Sequence, residues 1–342
     1  MRVTSLPRFV HLSFAAAAVL ISSWCAAQTY KLTDLGTVNS NGFSVARGVN
    51  ATGQATGSAG QNNSSLSEVF FYSNGTMTSL GTLGGNSGIG NGINALGQMA
   101  GYSQDSSGTY RAFITNNGKL TDIGDLGGGS AVAYGINDAG QVVGSAVTSD
   151  GSNHPFLYSG GKMIDLGTLG SPKGGNWWNV ATGVNNSGVV TGTSYTAKSG
   201  FFAFIWSNGK MTKLGTLGGP WSQGYAINNN GQVTGLAYTR SGAAHAFLLT
   251  AGKMIDLGVL QKNGTTWGFG INDSGVVVGQ ATFKGLYHAF IYSGGKIQDL
   301  NKLIPAGSGW TLLDAQGINN AGQIVGTMMR GSDEHGYLLT PQ

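Results

Sequence analysis

Four histidines occupy one repeat position of this 342-residue chain: His154, His245, His288 and His335. Five aspartates occupy another: Asp34, Asp122, Asp165, Asp256 and Asp299. Imidazoles and carboxylates hold divalent metals and move protons, so these two sets are the first candidates for chemistry. Their spacing argues against a shared centre. Each member belongs to a different copy of the repeat, whereas a metal needs its ligands within about 2.0–2.2 Å of one ion. The arrangement predicts structural roles instead. Each histidine ring would bond a neighbouring loop, and each aspartate would satisfy backbone N–H groups at a strand end. No metal and no cofactor is expected. A glycosidase needs two carboxyl groups about 5–9.5 Å apart, and one Asp per copy does not supply them. Asp122 with Asp125 and Asp333 with Glu334 are local pairs only. No nucleophile motif is present, so no catalytic residue is assigned.

The stronger candidates are aromatic. Trp177, Trp178, Trp221, Trp267 and Trp310 fall in the long stretches ahead of a repeated G-x-N triplet, in four successive copies. Exposed aromatic planes suit sugar rings or apolar partners, because they bury much area with few torsions to freeze. Two readings stay open. The rings form a ligand-binding crescent on one face, or they wedge between repeats as packing, where large aromatics usually end up.

The repeat that must position these residues has four landmarks. Its Asn positions are Asn50, Asn94, Asn137, Asn185, Asn228, Asn272 and Asn319, at intervals of 44, 43, 48, 43, 44 and 47 residues. A Gly follows each Asn by three positions. An aromatic follows by 18 to 20: Phe70, Phe113, Phe156, Phe204, Phe247, Phe290 and Tyr337. A D-L-G-T-L-like run completes the unit, as in Asp165-Leu166-Gly167. Periods of 20 to 50 residues mark solenoids, propellers or arrays.

Each unit holds four short strand-like runs. In the third they are Val132–Asn137, Gln141–Ala146, His154–Tyr158 and Lys162–Leu166. Asn137-Asp138-Ala139-Gly140 suits a type I turn followed by a glycine at positive φ. Asn74-Gly75, Asn117-Gly118 and Asn208-Gly209 are strong hairpin signals. Second strands such as Val142-Val143 and Ile324-Val325 are apolar without alternation, as expected between two covering layers. The expected fold is all-β, a seven-bladed β-propeller of four-stranded antiparallel blades; a parallel β-helix is the alternative. Tyr30–Gly36 is a fourth strand without its first three, and His335–Thr340 a third strand without its fourth. Pairing them would close the ring and leave no open sheet edge.

Residues 1–27 read as a cleaved signal peptide, with Arg2 and Arg8, an apolar run from Phe14 to Trp24, and Cys25-Ala26-Ala27 at the cleavage site. Residues 28–342 then form one domain, in the extracellular space or periplasm. The apolar run is shorter than the about 20 residues a membrane span needs. Cys25 is the only cysteine, so the mature chain holds no disulfide. Charge is sparse at 9%, and removing the two leader arginines leaves 16 basic against 14 acidic residues. Without a basic stripe, nucleic acid is not an expected partner. The long linking stretches, 18 residues from Gly167 to Asn185 and from Asn301 to Asn319, mark the expected binding face.

The triplets His245-Ala246-Phe247 and His288-Ala289-Phe290, with the D-L-G-T-L-G-G and G-I-N-x-x-G-Q runs, give a resemblance. The chain resembles the HAF-repeat family of extracellular bacterial repeat proteins over essentially its whole mature length. It departs at Glu68-Val69, Arg111, Pro155, Phe202 and Gly336-Tyr337. The resemblance implies export and repetition, and brings no catalytic residues. The expected function is therefore an exported, non-enzymatic, monomeric module binding a glycan or cell-surface polymer. The alternatives are a polysaccharide hydrolase or lyase with its site at a central channel, and a protein-interaction scaffold.

Overall fold

The computed structural model describes residues 29–39, 41–62, 64–174, 178–198 and 200–342. The leader expected over residues 1–27 and the candidate Trp177 lie outside these. The described chain is all-β; its one helical element is a short 3-10 turn, Leu300–Lys302. No helix among the described residues is long and apolar enough to cross a membrane.

The third unit shows the pattern. Gly127–Ile136, Val142–Thr148, Asn153–Ser159 and Lys162–Asp165 form a four-stranded antiparallel sheet in chain order. Its first strand begins earlier than the sequence suggests, because the linking stretch joins the ladder through Gly127, opposite Thr148. Gly140 takes φ +74°, and Gly160 and Gly161 take +59° and +81°. Two consecutive positive φ values are what a tight two-residue hairpin demands, and glycine meets them without a Cβ clash.

The same meander recurs in Val180–Lys213, Gly218–Asp256 and Thr266–Asp299. An eight-stranded sheet is two more meanders, Gly42–Gly81 and Gly84–Asp122, joined by one parallel pairing of Ser67 with Ser87. In the remaining sheet Tyr30–Asp34 pairs antiparallel with Asp333–Pro341, Tyr30 opposite Pro341 and Asp34 opposite Tyr337. Asp333–Pro341 pairs in turn with Ile324–Arg330, which carries the short segments Thr311–Leu312 and Gly317–Ile318. The first strands of successive units touch one another, and Gly42–Val49 touches Gly317–Ile318.

The core lies between units. Val142, Val143, Val190, Val277, Val278, Ile324 and Val325 have no exposed surface, so the second strands are covered on both faces. The repeated aromatics are equally buried, and each lies directly across from a second-strand glycine: Gly57 with Phe70, Gly144 with Phe156, Gly192 with Phe204, Gly279 with Phe290. A Cβ on Gly144 would overlap the Val132 carbonyl oxygen and press on the Phe156 ring. The glycine thus lets first and second strands approach while the ring fills the space above.

Candidate functional site

The histidines and aspartates find each other. His154 Nδ1 lies 2.8 Å from Asp165, His245 from Asp256 and His288 from Asp299 at the same distance, and His335 lies 2.9 Å from Asp34. Each ties the third strand of a unit to its fourth. The aspartates also cap backbone: Oδ1 of Asp34, Asp165 and Asp256 accepts from the N–H of Gly36, Gly167 and Gly258 at 2.8 Å. The histidine partner is therefore a strand-end carboxylate of the same sheet, and no shared centre forms.

Three departures from the repeat keep the contact at this place with other chemistry. Arg111 stands at a histidine position and donates through Nε to Asp122 at 2.8 Å, with Asp125 3.4 Å from its Nη1. Burden-sharing by two carboxylates explains that local acidic pair. Glu68 takes the histidine position in the first unit, and Ser79, at the aspartate position, donates to it at 2.6 Å. In the fourth, the Lys213 ammonium sits 3.5 Å from the centroid of the Phe202 ring, a cation–π contact.

The repeated asparagines link one unit to the next. Asn50 Nδ2 donates to Asn94 O, Asn94 to Asn137 O, Asn137 to Asn185 O, Asn185 to Asn228 O, Asn228 to Asn272 O and Asn272 to Asn319 O. The series returns to its start when Asn319 Nδ2 donates to Asn50 O at 2.8 Å. Each Oδ1 meanwhile accepts N–H groups of its own turn, as from Val189 to Asn185 at 3.0 Å. Around this mouth Asp273 accepts from Asn229 N–H at 2.8 Å and from Asn320 Nδ2 at 2.8 Å. Burial works against that ionised carboxyl, but these bonds prevail and hold it below its ordinary range.

Behind the asparagine ring lies a cavity of about 280 Å³ that sequence reasoning did not assign. Its wall is built by the residue three positions before each repeated Asn: Arg47, Asn91, Tyr134, Thr182, Tyr225, Phe269 and Gln316. A bulge delivers six of the seven, all but Gln316. The first-strand ladder skips one residue between Ala46 and Gly48, Ala133 and Gly135, Ala181 and Gly183, and Gly268 and Gly270. An extra, unpaired residue re-aims its side chain, here toward the cavity. Burial pushes the Tyr134 phenol up, and the Tyr225 phenol far up. Tyr225 donates to Gln223 at 2.6 Å.

The tryptophans divide. Trp178 is 52% exposed and lines the cavity; Trp221 is 43% exposed. Phe201 joins them edge-to-face, at 6.4 Å from Trp178 and 6.1 Å from Trp221, and Tyr238 continues the series 5.5 Å from Trp221. Trp267 pairs locally with Tyr287 at 6.1 Å. Trp310 packs against the core, with the His335 ring 5.0 Å away and the Arg330 guanidinium over its face at 4.4 Å. Trp221 and Trp267 lie within strands Gly218–Ile227 and Thr266–Ile271 rather than in loops, because the linking stretches extend the first strands.

No protein-family model matches the sequence, and no curated protein sequence matches it. Solved structures match by shape. A prolyl endopeptidase superposes with a TM-score of 0.55 at 10% identity, over 92% of this chain and 50% of its own. An acylaminoacyl peptidase from Pyrococcus horikoshii gives 0.51 at 10%, over 88% and 53%. TolB from Acinetobacter baumannii gives 0.48 at 11%, over 89% and 64%. The structural neighbours are β-propellers. The chain spans about half the length of the two peptidases, and at such identity the likeness concerns the fold alone.

Proposed function

We propose that the chain is an exported, non-enzymatic β-propeller module that binds a glycan or surface polymer on the face carrying Trp178 and Trp221. The observation that carries this reading is the edge-to-face series Trp178–Phe201–Trp221–Tyr238, its two tryptophans exposed and the other two rings half-buried, which runs up to the rim of the cavity. Aromatic planes of this kind stack on sugar rings at low entropic cost. In this reading the four-stranded units are seven blades, Tyr30–Asp34 latches the ring, and residues 1–27 are removed on export. The mature chain is a monomer of the HAF-repeat family.

The hydrolase or lyase alternative is less well supported. Asp138 and Asp273 at the asparagine mouth already accept hydrogen bonds from neighbouring units, and the residues lining the cavity behind it include no carboxylate. Glycan-array binding tests the reading. Binding by the wild type that is lost in the Trp178→Ala, Trp221→Ala variant is the expected result; binding unchanged in that variant removes the site.

A further inference from the structure

We infer that the cavity takes the carboxylate of an acidic sugar, a uronic acid residue, on Arg47. This rests on the glycan reading and names its ligand class.

Arg47 is the one cation among the residues lining the cavity, and no carboxylate lines it. Among the described residues its guanidinium enters no ion pair, and its Nε is shut away from water without an acceptor. Nε, closed to water, is closed to a ligand too; the terminal Nη groups, neither bonded nor shut away, are the donors an incoming acceptor would meet. Asp314, close enough for the Arg47 charge to act on it, forms no ion pair with Arg47 among the described residues, and its Oδ1 accepts the Thr327 N–H at 3.0 Å. A guanidinium presents a planar fork of N–H donors that matches a carboxylate. A single cation suits a monoanion better than a phosphate, which carries more charge.

The remaining wall describes the rest of the ligand. Tyr134, Tyr225 and Phe269 present aromatic surface, and half-exposed Trp178 stands at the rim. Asn91 spends its Nδ2 on the Ala133 carbonyl at 2.8 Å and keeps its amide oxygen; Gln316 brings a second amide and Tyr134 a hydroxyl. A ring with an apolar face, hydroxyls at its edge and one carboxylate meets all of these. At about 280 Å³ the cavity lies just below the roughly 300–1,000 Å³ range of small-molecule sites, so it admits one ring rather than a length of chain. The aromatic series outside would carry the next residues.

Titration of the mature chain with trigalacturonate and triglucuronate, against cellotriose and maltotriose, tests this by calorimetry. The wild type is expected to favour the uronates by about tenfold or more, the order that a charge-assisted pair provides. Arg47→Gln places there the residue the last unit carries as Gln316, and should erase the preference while leaving the melting temperature near that of the wild type. Arg47→Lys should keep part of it. Equal uronate binding by the wild type and Arg47→Gln, or a wild-type preference for the neutral trimers, overturns the Arg47 assignment and leaves the glycan reading standing. Benzoate, titrated alongside as a carboxylate without a sugar ring, should bind more weakly than either uronate; tighter binding overturns the sugar assignment. No binding of any trimer, together with a blank glycan array, removes the glycan reading and this inference with it.

Discussion

His335 Nδ1 lies 2.9 Å from both carboxylate oxygens of Asp34, 301 positions away along the chain. The same pair within a unit, His154 with Asp165, spans 11 positions across a two-residue hairpin. The first fastens a strand that no turn holds in place; the second only reinforces one that is already tethered. With side chains 20% and 38% exposed, the His335–Asp34 contact itself contributes about 0.2–1 kcal/mol. His335→Ala should therefore speed amide exchange across Lys31–Asp34 well beyond its effect on global stability. His154→Ala should leave exchange in Lys162–Asp165 nearly unchanged. Equal responses in the two segments would contradict this.

Glu68 and Ser79 occupy the positions that hold His and Asp elsewhere. Ser79→Asp alone sets two carboxylates face to face and should lower stability by about 0.5–1 kcal/mol. Adding Glu68→His rebuilds the common pair and should restore it. Chemical denaturation of the two single variants and the double gives the coupling directly.

Gly192 and Gly209 are both glycines of the fourth unit, with opposite expectations. A Cβ at Gly192 would overlap the Val180 carbonyl oxygen, where first and second strands approach. Gly209 has φ +76° and open space around it. Gly192→Ala should cost several kcal/mol or prevent folding, as overpacking of a tight core does (about 1–3 kcal/mol or more). Gly209→Ala should cost about 1 kcal/mol, the backbone strain alone. Melting temperatures separate them.

Asn185 holds its own turn and bridges to Asn228 O, and it is only 5% exposed. Asn185→Ala leaves buried polar groups unmatched and should cost at least about 1–3 kcal/mol. Its neighbour Asn186 also bridges units, to Asp138, but in water's reach. Asn186→Ala should cost less than Asn185→Ala, because solvent can replace its bonds. Urea denaturation midpoints would show the order.

Burial pushes the Asp314 carboxyl up, against the opposing pull of the Thr327 N–H, the Gln316 side chain and the Arg47 charge. The folded form then holds its proton more tightly than the unfolded chain does. Stability from this group is present below the unfolded value of about 3.9 and is lost as pH rises through the higher folded value. Asp314→Asn keeps an acceptor for Thr327 and removes the ionisation. It should raise the melting temperature at about pH 7, with the gain fading toward about pH 4. A gain independent of pH would contradict the assignment.

The turns, the strands and the all-β class were legible because they depend on residue types that repeat: Asn and Gly where φ turns positive, valines where both faces are covered. The pairing of His with Asp was within reach. Glu68 with Ser79, Arg111 with Asp122, and Phe202 with Lys213 all sit 11 residues apart, as do the three His–Asp pairs made within a unit, and in two of the three both partners change. The cavity wall was not legible. Arg47, Tyr134 and Phe269 share a position but no chemistry, and nothing in their identity signals a ladder that skips them. Of the tryptophans, residue type marked all alike; only packing separates exposed Trp178 and Trp221 from Trp310, held under Arg330.

The skipped residue has a consequence for how such a protein diversifies. Because it stands outside the ladder, its side chain is free of strand pairing; at Asn91 and Thr182 it bonds the next unit's backbone, at Ala133 O and Gly224 O, and at Arg47 it does not. Where no such bond is made, exchanging it would change the chemistry of the cavity wall and leave the strand ladder as it is. Changes to the wall and changes to the frame then fall on separate letters at those places, and a library randomised at Arg47, Tyr134 and Phe269 alone would vary the cavity on an intact ladder.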